Sequence, residues 1–214
     1  MARRNTRGSL YILVLLSSAT LLASAEVQPA VWAQSEGKVS KFLKKKQSAV
    51  ARLMKKGGGT ADAKKAHNNK ITSMISELLD YKTLSKMALH KHWDKQSPKQ
   101  RQEFVSLLKE LVERNYRQNL KNTLDYDISY LEESGTKKGV LVKTSARSKK
   151  NRRQPAVLID YELHKVGSRW MVFNIVTDGV SLVDNYRQQF DRIIKKEKWS
   201  GLIKRMRKRA QKSS

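Results

Sequence analysis

The spacing of apolar positions changes once along the chain, from helical to alternating. In residues 38–56, "KVSKFLKKKQSAVARLMKK", Val39, Phe42, Leu43, Val50, Leu53 and Met54 recur at helical intervals. "GGGTAD" (57–62) breaks that helix. A second helix is predicted over about Ala63–Leu79, with Ile71, Met74, Ile75, Leu78 and Leu79 on one face. Asp80 is placed to cap a short third helix carrying Leu84, Met87 and Ala88. In "SPKQ" (97–100), Ser97 stands as N-cap, Pro98 takes the first helical position and Gln100 follows three after the cap. That is a capping box, with proline where its missing N–H is not needed. The helix it opens carries Phe104, Leu107, Leu108, Leu111, Val112, Tyr116 and Leu120, a wide stripe suited to lie across a sheet.

Beyond Asp125 the period falls to two. "DYDISYL" alternates Tyr126, Ile128 and Tyr130, and "GVLVKTSA" alternates Val140, Val142 and Thr144. A basic hairpin tip, "SKKNRRQ" (148–154), leads into "PAVLIDYEL", with Val157, Ile159, Tyr161 and Leu163 on one face. After a turn at "VGS", "RWMVFNIV" (169–176) is apolar on both faces: Trp170, Val172 and Val176 against Met171, Phe173 and Ile175. Such a strand is expected to be central and covered on both sides. Short turns between four strands imply an antiparallel meander, so the chain reads as α+β. N-terminal helices should pack on a curved four-stranded antiparallel sheet, with a helix closing the C-terminus. Helices across a concave sheet leave a cone that can hold a ligand.

"TDGVSLVDNYRQQFDRII" (177–194) adds Val180, Leu182, Val183, Tyr186 and Phe190 among polar neighbours, just after the turn at Asp178-Gly179. Burial in a core and the wall of an apolar cavity both account for them. The C-terminal half of "FDRIIKKEKWSGLIKRMRKRAQKSS" is a basic amphipathic helix ending in a basic tail at about 203–214.

The 214 residues suffice for one domain with a sizeable core. No cysteine is present, which rules out disulfides, a thiol nucleophile and thiolate zinc sites. "MARRNTRGS" followed by the apolar "LYILVLLSSATLL" has the form of an export signal, too short to span a bilayer comfortably. Cleavage is expected after Ala25, with Ala33 the alternative. This assigns 1–25 to the signal and 35–214 to a single domain outside the cytoplasm, in the periplasm.

The formal charge is +26; residues 1–34 hold Arg3, Arg4 and Arg7 against Glu26, a net +2, so the rest carries +24. A charge of that size fits nucleic acid, anionic membranes or acidic partners, and export argues against nucleic acid. Candidate chemistry is sparse. His90 and His92 fall at a helix end, where residues two apart diverge by about 200°, so no metal site is expected. His164 is expected to be solvated. No nucleophile elbow, H-E-x-x-H or glycine-rich phosphate loop occurs. Asp160 and Tyr161, adjacent on a strand, face opposite ways and make a poor acid–base pair. No catalytic residue and no cofactor are expected.

Two blocks carry a resemblance. Leu78–Leu120 contains Asp80-Tyr81, Met87, Leu89, Trp93 and Ser97-Pro98. Ile159–Phe190 contains Ile159-Asp160-Tyr161, Gly167, Trp170, Val172, Gly179 through Val183, Asn185, Tyr186, Arg187, Gln189 and Phe190. Together they resemble the MlaC family, the periplasmic phospholipid-binding proteins of the Mla lipid-asymmetry pathway, also called toluene-tolerance auxiliary proteins. The likeness covers roughly residues 38–205. Departures are His90 where the family prefers Gly, Phe173 where it prefers Tyr, and Asn174 where it prefers Asp.

The resemblance implies a nuclear-transport-factor-like sheet enclosing an apolar pocket for acyl tails, with the headgroup exposed. The tail-binding residues it points to are Leu84 and Met87, then Leu108, Leu111 and Val112. From the sheet come Val142, Ile159, Tyr161, Val172 and Val176, and from the closing segment Val180, Leu182, Val183, Tyr186 and Phe190. Asn185 and Arg187 are expected to tie that segment to the sheet. The implied role is a lipid carrier, not an enzyme, between an outer-membrane lipoprotein–porin complex and an inner-membrane ABC transporter with an MCE-domain ring. An exported small-molecule enzyme or binding protein on the same cone, and a nucleic-acid binder driven by charge, remain alternatives from other classes.

Overall fold

The computed structural model describes residues 37–55, 59–123 and 125–211, with side chains given except at 116–123. The expected signal at 1–25, and both cleavage points, lie outside the described residues. Helices α1 (Lys38–Lys55), α2 (Ala61–Ser76), α3 (Tyr81–Leu89) and α4 (Pro98–Thr123) precede the strands. These are β1 (Tyr126–Thr136), β2 (Gly139–Ser148), β3 (Val157–Val166), β4 (Arg169–Thr177) and the two-residue β5 (Val180–Ser181); α5 (Leu182–Gln211) closes the chain. The sheet is antiparallel in the order β1-β2-β3-β4-β5, so the expected meander gains one short strand.

The helix starts follow their side chains. The Asp80 carboxylate accepts from the Thr83 N–H at 3.0 Å and from its hydroxyl at 2.6 Å. Gln100 Oε1 accepts from the Ser97 N–H at 2.8 Å, and Ser97 Oγ accepts from the Gln100 N–H at 3.3 Å, the reciprocal pair of a capping box. The start of α1 is capped from outside the helix. Glu133, on β1, accepts from the N–H groups of Ser40 (2.7 Å) and Val39 (3.3 Å), placing a carboxylate at the positive end of the helix.

Two clusters form the main core. One is helical: Leu84, Ala88, Leu89 and Trp93 meet Phe104 and Leu108 of α4 and Leu182, Val183, Tyr186, Phe190, Leu202, Ile203 and Met206 of α5. The other joins Val39 and Leu43 of α1, with Leu79 and Tyr81, to Val142, Leu163 and Val172 of the sheet. Val105 and Val112 of α4 also reach the sheet cluster, but α4 spends most of its stripe on α3 and α5 instead of lying squarely across the strands.

Three expectations need correction. Strand β4 is not central: among the described residues, only β5, paired at Val176 and Thr177, and a short bridge at Leu79 lie beyond it. That bridge is real pairing, since Asp80 N–H donates to Val172 O (2.8 Å) and Val172 N–H donates to Leu78 O (2.7 Å). Second, β4 carries a bulge. Glu162 pairs with Asn174 and Leu163 with Val172, so Phe173 is the extra residue. Beyond it the alternation shifts: Ile175 joins Trp170 and Val172 on the apolar face, and Val176 turns to the other side opposite Asp160. Third, the stretch read as a basic tail is helical to Gln211, with Ile203 and Met206 buried in the helical core.

Helix α5 bends where Lys198 adopts φ 63°, ψ −176°. The turn that follows is tight enough that a Cβ on Gly201 would lie 2.3 Å from Glu197 Cβ. At the other end, Asp178 (φ 47°) and Gly179 (φ 79°) form the expected Asp-Gly hairpin turn, both residues left-handed. Asp178 Oδ1 accepts from the Leu158 N–H, and the Asp178 N–H donates to Leu158 O, both at 2.9 Å.

Candidate functional site

Register decides which side chains share the apolar face of the sheet. Across β2 and β3, Val140 faces Leu163, Val142 faces Tyr161, Thr144 faces Ile159 and Ala146 faces Val157. Tyr130 on β1 stands opposite Thr144, and Ile175 on β4 opposite Tyr161. All of these point the same way, because strand residues two apart share a face.

The face is unevenly covered. Toward Val142, Leu163 and Val172 it is dry, sealed by Val39, Leu43, Leu79 and Tyr81. Toward the hairpin tip, Thr144 and Ala146 of β2 stay buried, but Val157, Ile159, Ile175 and Tyr161 beside them are only half-buried, and Ile128 is 36% exposed. Half-buried apolar side chains on an inward face beside a dry core make this stretch the candidate apolar groove.

At the boundary between the dry and open halves, α1 reaches down with one amide. Tyr130 OH donates to Gln47 Oε1 at 2.7 Å, and Gln47 Nε2 donates to Tyr161 OH at 3.2 Å. Deeper in the sheet, Thr144 is fully buried and its hydroxyl donates to Ile159 O at 2.7 Å.

The residues expected to hold tails do not form one wall. Leu84, Leu108, Leu182, Val183, Tyr186 and Phe190 are buried in the helical core, with Met87 and Leu111 packed against it. There they fill space by contact: Tyr186 stacks on Phe190 at 5.2 Å, and Phe190 meets Phe104 edge-on at 5.3 Å. Val112 touches both clusters, and Val142 and Val172 lie in the dry part of the sheet. Of the expected set, Ile159 and Tyr161 line the open half of the apolar face. Val176 faces the opposite side, and Val180 is 39% exposed near Leu158 at 51%.

Tyr130, Val157, Ile175 and Gln47 belong to this face and were absent from the expected set. Tyr130 and Val157 were legible from strand alternation, and Gln47 from its place four residues after Leu43 on the α1 stripe. Ile175 was hidden by the bulge.

The opposite face mixes charged side chains with apolar ones such as Leu158 and Val176. Lys143 Nζ lies 2.8 Å from Glu132, and Asp160, beside them, has its carboxyl pushed up by burial against the pull of Lys143. Asp160 thus shares no face with the groove. His164 is not solvated as expected: its Nε2 lies 2.8 Å from Asp80 Oδ2, and its ring meets Phe173 at 4.9 Å. His92 binds Asp191 at 2.9 Å, alongside Lys91 and Lys195. The Lys195 hydrogen bond, with those from His92 and Lys91, holds the Asp191 carboxyl far below the usual carboxylate range. Among the described residues, no group of three or more His, Cys, Asp or Glu side chains is placed to hold a metal ion.

A separate polar cavity of about 350 Å³ lies between α2 and α4, lined by Asn69, Thr72, Ser73, Ser76, Glu77, Lys109 and Glu113. None of the expected tail-binding residues lines it. Tyr81 stands between it and the sheet core, its hydroxyl 3.3 Å from Ser76 Oγ. Burial pushes that phenol up to about 12, so it is a neutral partner there.

The sheet is tied to the closing segment by a residue outside the expected pair. Asn174 Oδ1 accepts from the Val183 N–H at 3.1 Å, and its Nδ2 donates to Ser181 Oγ at 3.1 Å, capping α5. Arg187 instead donates to Met87 O on α3 (3.2 Å) and pairs with Asp184 at 2.7 Å, while Asn185 accepts from Gln189 at 2.8 Å.

The fold has a known counterpart. A phospholipid-binding protein from Ralstonia solanacearum, solved in complex with a phospholipid, superposes with a TM-score of 0.66 at 22% identity, over 79% of this chain and 95% of that one. No curated protein matches the sequence significantly. Residues 44–208, which span the helical core cluster and the whole sheet, match the family described as MlaC protein. On that match, the chain belongs to the MlaC family.

Proposed function

We propose that the protein is a phospholipid carrier, a binding protein and not an enzyme, that holds acyl tails against the open half of its apolar sheet face. The observation that carries this reading is the half-buried run Val157, Ile159 and Ile175 on an inward face. Membership of the MlaC family and the phospholipid held by the similar Ralstonia protein support the choice of ligand. Two acyl tails carry about 30 methylenes, and their exposure to water costs on the order of 24 kcal/mol at ~0.8 kcal/mol each. Free diffusion of such a lipid between membranes is negligible, so a carrier must cover the tails and still release them.

In this reading residues 1–25 direct export and are removed, and the mature domain works in the periplasm. It exchanges lipid with an inner-membrane ABC transporter bearing an MCE-domain ring and with an outer-membrane lipoprotein–porin complex, which maintains outer-membrane lipid asymmetry. Its basic surface meets anionic membrane. Native mass spectrometry of the protein purified from cells with intact membranes tests the core claim. Co-purifying phospholipid is expected; only lipid-free protein would overturn it.

A further inference from the structure

The charge on α1 has one sign: the helix carries six Lys and Arg52, and no Asp or Glu. Lys38, Lys41, Lys45, Arg52 and Lys55 are exposed and follow one another at three, four, seven and three residues. That spacing keeps them along one side of the helix. Val39, Leu43 and Val50, which α1 buries, lie on the opposite side. At about 1.5 Å per residue the ridge of cations runs for about 25 Å.

Many cations elsewhere have an anion beside them. Lys143 pairs with Glu132, Lys150 with Asp125, Arg152 with Asp127 and Arg205 with Glu197. Among the described residues, none of the five ridge cations enters an ion pair. The ridge also works against its own helix. Lys38 and Lys41 stand in the first turn, at the positive end of the helix dipole, where a cation is unfavourable. Lys38 with Lys41, and Lys41 with Lys45, are like-charged neighbours one turn apart, which adds repulsion. The anion this end requires comes instead from Glu133 on β1, whose oxygens take the N–H groups of Val39 and Ser40. Arg52 and Lys55 suit the negative end of α1, but helix stability gives no reason for Lys38, Lys41 and Lys45. Solubility asks only for net charge, which the rest of a +26 chain supplies without them.

We propose that the outer ridge of α1 docks the acidic face of a partner protein, one whose carboxylates line up along about 25 Å. This dock is separate from lipid carriage and stands whether or not the groove holds lipid. A protein fits the ridge better than a bilayer does. Helices that lie in a bilayer surface bury an apolar face among the lipids. The apolar face of α1 is already packed on the sheet through Val39 and Leu43, and the ridge holds no aromatic or aliphatic side chain to insert. A row of charges on a straight helix matches a row of carboxylates with a similar rise, and that match sets orientation as well as attraction.

The test uses the purified protein and two helical peptides of about 20 residues, long enough to cover the ridge. One carries glutamates along a single face at the ridge spacing; the other has the same composition with the glutamates spread round the helix. Fluorescence anisotropy reads binding at low salt, where the Debye length is at least about 10 Å. Wild type should bind the patterned peptide several-fold more tightly than the scrambled one. Lys38→Gln, Lys41→Gln and Lys45→Gln together should weaken it about tenfold, the usual worth of three exposed charge pairs. The same loss of charge through Lys86→Gln, Lys95→Gln and Lys99→Gln, exposed on other elements, should change it by less than about twofold. The ridge variant should melt no lower than wild type, since two of the charges removed oppose the helix dipole. It should also keep its binding to vesicles containing phosphatidylglycerol. Failure of wild type to bind the patterned peptide, equal binding of the two peptides, or equal weakening by the two triple variants would overturn the dock. A ridge variant that loses the vesicles and keeps the peptide would overturn it by assigning the ridge to the bilayer. Lipid content is measured separately, so none of these outcomes decides whether the groove holds lipid.

Discussion

His164 Nε2 lies 2.8 Å from Asp80 Oδ2, joining the face of β3 that bears Asp160 to the residue that starts α3. The same Asp80 pairs through its backbone with Val172, so one residue caps a helix, extends the sheet edge and holds an imidazole. Burial raises its carboxyl pKa, but the Thr83 hydrogen bonds and His164 more than offset this, and the net shift is downward. A carboxylate held below its unfolded value adds stability that is present above the ordinary range of about 4 and is lost as pH falls through the folded value. Asp80→Asn should therefore cost about 1–2 kcal/mol at neutral pH and flatten the loss of Tm on acidification below about pH 4. Melting curves of both proteins across that range provide the check; parallel curves would remove Asp80 from the account.

His90 adopts φ 45°, ψ −117°, a conformation suited to glycine. Non-glycine residues held there cost on the order of 1–3 kcal/mol. The ring is exposed, so little contact is lost by removing it. His90→Gly is expected to stabilise the protein by about 1 kcal/mol, read as a higher urea midpoint at unchanged slope. A lower midpoint would mean that the side chain contributes more than the backbone strain costs.

Bulk placed on the two halves of the apolar face should act differently. Val172 is 3% exposed within the dry core, and Val172→Trp should cost about 1–3 kcal/mol by overpacking. Ile159 is half-buried, and Ile159→Trp should leave the fold in place while reducing bound phospholipid about tenfold. Melting and lipid content measured together separate the cases. An Ile159→Trp protein that is folded and fully loaded would move the tail site elsewhere.

The basic face of α5 should set the rate of exchange with anionic vesicles. Truncation after Leu202 is a poor probe, because it removes Ile203 and Met206 from the helical core. Lys204 and Lys208 are exposed, whereas Arg205 and Arg207 pair with Glu197 and Glu103. Lys204→Glu with Lys208→Glu should slow transfer several-fold at about 0.1 M salt and have little effect at about 1 M, where the Debye length is near 3 Å. Stopped-flow transfer of a fluorescent phospholipid across a salt series measures this. Identical rates for the two proteins at low salt would assign the charge to solubility alone.

Local signals were legible wherever a single residue type had one physical use. Asp80 and the Ser97–Gln100 pair start helices as their side chains dictate, and Asp178-Gly179 turns as its left-handed dihedrals require. Period alone placed Val142, Ile159 and Tyr161 on one face. What stayed hidden depends on partners distant in sequence. Asp80 meets His164 from 84 residues away, and Gln47 meets Tyr161 from 114. The apolar stripe of Leu182, Val183, Tyr186 and Phe190 reads the same whether it fills a core or lines a groove, and here the helices fill it.

The bulge at Phe173 is a change of parity. On a strand, odd and even positions are inside and outside, and a single uncounted residue exchanges them for everything downstream. Ile175 is an inward residue only because Phe173 is skipped by the ladder. One residue added to or removed from the facing stretch of β3 would exchange inside for outside at the far end of the sheet without altering any downstream side chain. The greasiness of the groove is thus encoded in a count as much as in the amino acids that line it.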